Sequence, residues 1–431
     1  MIRNYTTTFY LLLLSALCFL VYFPTFGNQF QLLWDDKWQI MNGYSVNGFT
    51  WNNIHAIFSE SYYGQYSPVN QIIYTVIYYL FGYNPLVYHL YNLLLHLANV
   101  CLTFLLIQRI LIYGKRADEK TVSIVSFTVA LLFGIHPTQV EAVAWISASK
   151  VVLYSFFTLA ALLAYLKYTD ANKMKYYLLT LILFVLSFGS KEQAVVLPAS
   201  LILLDWVMKR NLKDKNVWIE KIPFILFAFS FGLFTLSFQY APAVKEWAGY
   251  TFVQRLFLAS YALVEYVVKL ALPVNLLYLY PFPMPPGDSL PLRMFIYPFL
   301  LIISVIWILI ARKHWQVLFG VLFFLINIAL TIHIAPMSRF MIVADRYLYL
   351  PSIGLFFTGV WYVVHYLRLL TKKKRQWYYV IIASYLLYLG IYAHQRTKVW
   401  YDSKTLKREI KELLQERNVS EETSENENKA P

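Results

Sequence analysis

The stretch "TFYLLLLSALCFLVYF" (Thr8–Phe23) is followed a few residues later by "QLLWDDKWQI" (Gln31–Ile40). The first carries no charge over nearly the length of roughly 17–25 residues that a bilayer-spanning helix needs. The second sets two adjacent carboxylates, Asp35 and Asp36, between tryptophans just beyond it. Only Arg3 precedes the apolar run and no small-residue cleavage site follows, so it reads as a retained first transmembrane helix rather than a signal peptide. Composition extends this reading to the whole chain. Of 431 residues, 59% are hydrophobic and 14% charged, against roughly 45–50% and about 25% in soluble domains. The 36 tyrosines and 32 phenylalanines suit interfacial aromatic belts. The fold class is an all-α polytopic membrane protein. Cys18 and Cys101 both fall in apolar runs, which leaves no disulfide framework and no thiolate metal site.

Hydropathy places apolar spans at 8–24, 88–113, 122–136, 150–167, 176–189, 194–208, 222–240, 291–311, 315–334, 350–369 and 377–394. With the N-terminus inside, twenty basic residues collect in the inner loops, in clusters such as Lys209–Lys221 and "KKKR" (Lys372–Arg375). Nine lie outside before the C-terminal tail: Lys37, Lys150, Lys191, Lys245, Arg255, Lys269, Arg293, Arg339 and Arg346. Basic residues are retained on the cytoplasmic side, so this bias fixes the expected orientation and accounts for the net charge of +14 without nucleic acid. One apolar segment, 253–274, would invert everything downstream if it crossed. With Arg255, Glu265 and Lys269 in it, it is expected to lie in the outer interface within the connection 241–290. About eleven crossings result, and the first outer loop, 25–86, is expected to carry interfacial helices, including 67–85.

The isolated charges gather on the outer face: "WDDK" (Trp34–Lys37), "HPTQVEAVAW" (His136–Trp145), "SKEQ" (Ser190–Gln193) and "RFMIVADRYLYLPSIG" (Arg339–Gly354). Each alone is an ordinary loop charge; their convergence on one face points to a site at the outer membrane boundary. An enzyme working there on a lipid-phosphate donor needs a carboxylate base, cations to receive the departing phosphate, and an apolar groove. Asp35 or Asp36 supplies the first, and Lys150, Lys191, Arg339 and Arg346 are candidates for the second. Only one of two neighbouring carboxylates faces a substrate if the chain is extended; the other orients it, binds a cation or caps a helix. A transporter or flippase for lipid-linked glycans is the alternative. It is disfavoured by spans nearly free of charge at their middles and by the lack of an internal repeat.

These residues resemble the fold-C (GT-C) integral-membrane glycosyltransferases. In motif order they resemble the membrane half of the transmembrane and tetratricopeptide-repeat-containing O-mannosyltransferases and their bacterial relatives. The matching pieces are "WDDKWQIMN" (Trp34–Asn42), "GYNPLVYHLYNLLLHLAN" (Gly82–Asn99), "GIHPTQVEAVAWIS" (Gly134–Ser147), "GSKEQAVVLPASLILLD" (Gly189–Asp205), "ADRYLYLPSIG" (Ala344–Gly354) and "RTKVWYDSKTL" (Arg396–Leu406). The resemblance implies a GT-C-like bundle over 1–394. It implies inverting transfer of a sugar, mannose in the named relatives, from a polyprenyl-phosphate carrier to a hydroxyl on a protein, glycan or lipid. Asp35 matches the family's base, with Asp36 beside it. Lys191, Arg346, His136 and Glu141 match outer-face positions that hold the carrier phosphate or brace the site, as would Glu192 and Asp345. His89 and His96, seven residues apart, read instead as helix-packing residues.

The chain departs from the pattern in three places. "SKVV" (Ser149–Val152) stands where relatives carry an Arg and an acid, so Lys150 replaces the Arg; Ser67 stands where a basic residue is expected. After the last span, an outer amphipathic helix (395–417) and an acidic tail without structure (418–431) are expected instead of a tetratricopeptide array. No cofactor is required by this reading, although the acidic pair is compatible with a divalent cation. Usage rich in Lys, Asn, Ile and Tyr points to a bacterial genome, which makes the membrane an inner membrane, the carrier undecaprenyl-like, and the C-terminus and site periplasmic.

Overall fold

The computed structural model describes residues 2–114, 118–247, 250–311, 314–334 and 341–427. Nineteen α-helices are present among them, and no strand beyond one isolated bridge between Tyr62 and Gln65. The all-α polytopic membrane fold is the observed one.

After α1 (Ile2–Tyr22), the long outer loop folds into four helices, α2 (Asp36–Gln39), α3 (Gly43–Val46), α4 (Trp51–Ser59) and α5 (Pro68–Phe81). The loop is therefore ordered, as its aromatic content requires. Several of the helix ends have a local cause. Asn42 caps α3 by accepting from the Ser45 amide. Pro68 opens α5 in the first turn, where a missing N–H costs nothing. Gly82, at φ +61°, ends it in a conformation that side chains disfavour.

The bundle is built from α6 (Pro85–Gly114), α7 (Glu119–Ile135), α8 (Val140–Ala144), α9 (Ser149–Ala171), α10 (Met174–Ser190) and α11 (Leu197–Val207). The short α12 (Lys215–Ile219) leads into α13 (Ile222–Trp247), α14 (Phe252–Ala271), α15 (Ile296–Ala311), α16 (Trp315–Ile328), α17 (Ser352–Leu369) and α18 (Lys372–Val399). The last, α19 (Ser403–Glu427), continues beyond 417, so the segment expected to lack structure is helical as far as Glu427. All eleven apolar stretches are helical. Five helical segments are long and apolar enough to cross a membrane alone: 6–27, 85–114, 146–171, 215–237 and 292–310. A sixth results if α7 and the segment from Pro137 to Ala144, which meet at 52°, form one broken span. That bend follows from Pro137, which cannot donate to the helix ladder; the His136 imidazole caps the next turn by accepting from the Thr138 amide.

The core runs through α1, α6, α7, α9, α10 and α11, with α17 packed against both α7 and α16. His96 is a packing residue, as expected: its ring nitrogens reach the Tyr349 hydroxyl (2.7 Å) and the Gly134 carbonyl (3.0 Å). Asn99 donates to the same Tyr349 hydroxyl and to the Val152 carbonyl, closing a polar knot between four segments. Helices α16 and α17 meet backbone to backbone. A Cβ on Gly354 would lie 2.2 Å from the Gly320 carbonyl oxygen, and one on Gly320 would lie 2.3 Å from the Gly354 carbonyl oxygen. By contrast α15 buries almost none of its apolar surface within the chain, which suits a helix facing lipid.

Candidate active site

The short irregular segment around α8 gathers the site. Ser147, in the turn Ile146–Ala148, donates to Asp36 through its amide (3.0 Å) and through a close hydroxyl contact. The Gln31 amide takes the other Asp36 oxygen at 2.7 Å. Asp36 is fully buried. Burial, partly offset by the bonds from Ser147 and Gln31, raises its carboxyl to about 6. With both oxygens engaged, Asp36 ties the loop after α1 to the turn Ile146–Ala148. Of the two carboxylates expected to serve the chemistry, Asp36 is thus the buried, hydrogen-bonded one.

Asp35, one residue earlier, is half-buried and accepts only from the Gln39 side-chain amide, at 3.3 Å. The helical turn between them makes the i, i+4 contact natural. The Gln39 carbonyl oxygen in turn accepts from the Lys150 ammonium at 3.1 Å, and Gln65 offers Lys150 a second, closer amide oxygen. Among the described residues no carboxylate lies within ion-pair distance of Lys150. Two neutral amides hold it instead, within electrostatic reach of Lys191, Glu192, Asp35 and Arg346. Lys191, in the turn after α10, is nearly buried, with its ammonium 3.5 Å from Glu192. The sequence reading missed Gln39 and Gln65. Gln39 had a signal, its spacing of four from Asp35; Gln65 had none.

Arg346 approaches from the turn Asp345–Leu348. Its guanidinium makes a close ion pair with Glu141 on α8, whose second oxygen accepts from the Arg346 amide at 2.8 Å. The same guanidinium lies 5.3 Å from the Trp145 ring centre and keeps 17% of its side chain exposed. A desolvated cation–π contact of this kind is worth up to about 2 kcal/mol. Asp345 faces the other way. Buried, it accepts from the Tyr280 hydroxyl (2.9 Å) and Arg396 (3.4 Å), and its carboxyl is lifted to about 6, chiefly by burial and against the pull of Arg396. His136 is likewise buried, against Phe356 and Thr138. Arg339 lies outside the described residues.

The C-terminal motif closes the assembly. Trp400 stacks on Trp145 with ring centres 5.6 Å apart, and its carbonyl accepts from Gln31 at 2.7 Å. Asn28 donates to the Thr397 carbonyl, and the Leu33 amide to the Ser403 hydroxyl. The stretch that opens the outer loop is therefore clamped to residues some 370 positions later. No group of three or more His, Cys, Asp or Glu side chains that could hold a metal occurs among the described residues.

No family model matches the chain, and no solved structure does. Among curated proteins it is similar to Protein O-mannosyl-transferase F38B6.6 of Caenorhabditis elegans, 28% identical over 218 residues, covering 48% of this chain and 29% of that protein. It is also similar to Protein O-mannosyl-transferase TMTC1 of Mus musculus, 32% identical over 152 residues, covering 32% of this chain and 14% of the relative. A third is Protein O-mannosyl-transferase Tmtc3 of Drosophila melanogaster, 32% identical over 120 residues, covering 25% and 13%. The matches thus span less than a third of each relative's length. They support a membrane protein related to glycosyltransferases.

Proposed function

We propose that the chain transfers a sugar, mannose by analogy with the names of its relatives, from a polyprenyl-phosphate carrier to a hydroxyl acceptor, with no nucleic acid involved. The observation that carries this reading is the state of Lys150. It is a partly buried lysine held by two neutral amides, with no carboxylate at ion-pair distance among the described residues, and within electrostatic reach of Lys191 and Arg346 as well as of Glu192 and Asp35. Such a cluster is poised to receive an anion.

In this mechanism Asp35 removes the proton from the acceptor hydroxyl as that oxygen attacks the anomeric carbon from the face opposite the phosphate. The bond between that carbon and the carrier's phosphate oxygen breaks, and the anion leaves towards Lys150, Lys191 and Arg346. Gln39 orients Asp35 and Glu141 orients Arg346. Exposed apolar side chains of the outer loop and neighbouring helices, Leu32, Leu33 and Phe58 among them, suit a lipid boundary. The proposed setting is a bacterial inner membrane with the site on the periplasmic side.

Reconstitution in liposomes with a polyprenyl-phosphate-sugar donor tests this. Asp35→Asn should reduce transfer by about 10²–10⁴-fold, the usual contribution of one proton-transfer catalyst, while leaving the thermal unfolding profile in place. Full transfer by Asp35→Asn would rule out Asp35 as the base. Carrier flux across the bilayer without any transferred product would favour a flippase instead.

A further inference from the structure

The loop after α1 carries an open pocket of about 360 Å³ between α3 and α4, lined by Tyr44, Asn47, Thr50, Asn52, Asn53 and Tyr62 among others. Its size falls within the range of roughly 300–1,000 Å³ for small-molecule sites. Its wall sets amides, a hydroxyl and phenol rings among the apolar surface of Gly43, Ala56 and the rings; no charged side chain lines it, and the Tyr44 hydroxyl donates outward to the Glu60 carboxylate at 2.9 Å. Asn53 is committed to the fold, donating to the Tyr44 and Gly48 carbonyls. Asn47 and Asn52 are exposed, each with an amide that can both donate and accept.

A line of rings connects this cavity to the candidate site. Tyr44 and Tyr62 are 5.4 Å apart between ring centres, Tyr62 and Trp38 6.3 Å, and Trp38 and Tyr63 5.1 Å. Trp38 stands on α2, three residues after Asp35. The turn carrying Tyr62 ends at Gln65, whose side chain holds Lys150. That turn is closed on itself: the Tyr62 and Gln65 amides donate to each other's carbonyls at 2.9 and 3.0 Å, with φ positive at Tyr63 and Gly64. It offers no free strand edge on which an extended peptide could pair.

We propose that this cavity is an acceptor subsite for a neutral glycan. It holds sugar units remote from the reacting hydroxyl, while the rings of Tyr62 and Trp38 lead the terminal unit towards Asp35. Carbohydrates present hydroxyls that need partners which both donate and accept, and flat C–H faces that lie against aromatic rings; the uncharged wall gives no advantage to an anionic ligand. Placing the acceptor here rests on the transfer reaction proposed above, but occupancy of the cavity can be read without it.

The full chain in lipid nanodiscs is titrated with maltotriose and mannotriose, followed by saturation-transfer NMR, with sialyllactose and a Ser/Thr-rich peptide as comparisons. At least one neutral trisaccharide should bind saturably, and more tightly than sialyllactose or the peptide. Asp35→Asn should bind it equally well. Tyr62→Ala and the exposed pair Asn47→Ala/Asn52→Ala should each weaken it roughly tenfold, as expected for loss of one aromatic or hydrogen-bonding anchor. Binding of neither neutral trisaccharide, binding that survives both variants, or preferential binding of the peptide or of sialyllactose overturns the subsite. Full transfer by Asp35→Asn with glycan binding intact would instead overturn the catalytic reading and leave the subsite standing.

Discussion

Helix α9 carries a charged cluster near each end, and the two are balanced in opposite ways. At its first turn Lys150 rests on two glutamine amides, while the two further cations near it, Lys191 and Arg346, are paired with Glu192 and Glu141. Fifteen residues on, roughly 22 Å along the axis, the Tyr165 hydroxyl sits at the centre of a closed network. It donates to Asp205 (2.6 Å) and accepts from Arg210 (2.8 Å) and Lys221 (2.6 Å). Lys221, fully buried, is 2.7 Å from Asp205, and Arg210 grips Glu220 through two nitrogens. Every charge there meets its opposite, so the network fixes α9, α11, α12 and the start of α13 and asks nothing of a ligand. At the other end Lys150 alone lacks a carboxylate at ion-pair distance among the described residues, and the proposed function uses that difference. Residue type does not separate the two; the account of partners does.

The comparison can be broken in several ways. The largest effect belongs to Asp35→Asn, with transfer falling by up to about 10⁴-fold and no loss of fold; a stability loss matching the activity loss would erase the contrast. At the other end, Lys221→Met should lower stability by about 3–5 kcal/mol, because it removes the cation from the second oxygen of the buried Asp205 carboxylate and leaves Arg210 alone to balance Asp205 and Glu220. Denaturation in detergent measures this, and Lys221→Met/Asp205→Leu should recover most of it; a double variant as unstable as the single would show that the network is not an isolated charge balance. Lys150→Met should act in reverse, reducing transfer by about 10²–10³-fold as for loss of one transition-state donor, with unfolding unchanged or shifted upward.

The smallest effect is a pH dependence. Because the Asp36 pKa is raised on folding, the folded chain binds that proton more tightly than the unfolded one. Its contribution to stability is full below about pH 4 and is lost as the pH rises through about 6; Asp345 works with the same sign. The unfolding midpoint should therefore rise as the pH is lowered from 7 to 5, and Asp36→Asn should flatten that slope. An unchanged slope would mean that Asp36 is not the titrating group.

The helical bundle was legible because lipid imposes long apolar runs, and all eleven appear as helices. The separation of Asp35 from Asp36 was not, since it depends on Ser147 and Gln31, neutral groups that nothing in the local sequence marks as partners. The connection 205–221, expected on the inner side, reads as a simple basic linker, yet Arg210 and Lys221 are anchored in a buried network; Asp205 and Glu220 are matched to them only by the packing of α9, α11 and α13. Arg346 and Glu141 were both visible as outer-face charges. Their mutual pairing emerges only when the bend at Pro137 brings α8 against the turn Asp345–Leu348.

The contact of Gly320 with Gly354 bears on this last pairing. Gly354 lies eight residues after Arg346 on a chain that turns directly into α17, so the depth at which α17 seats against α16 sets where the guanidinium comes to rest. A methyl at either glycine would run into the other's carbonyl oxygen, so the backbones would have to shift apart. The position of the Arg346–Glu141 pair is thereby tied to a helix contact made by two residues that present no side chain at all.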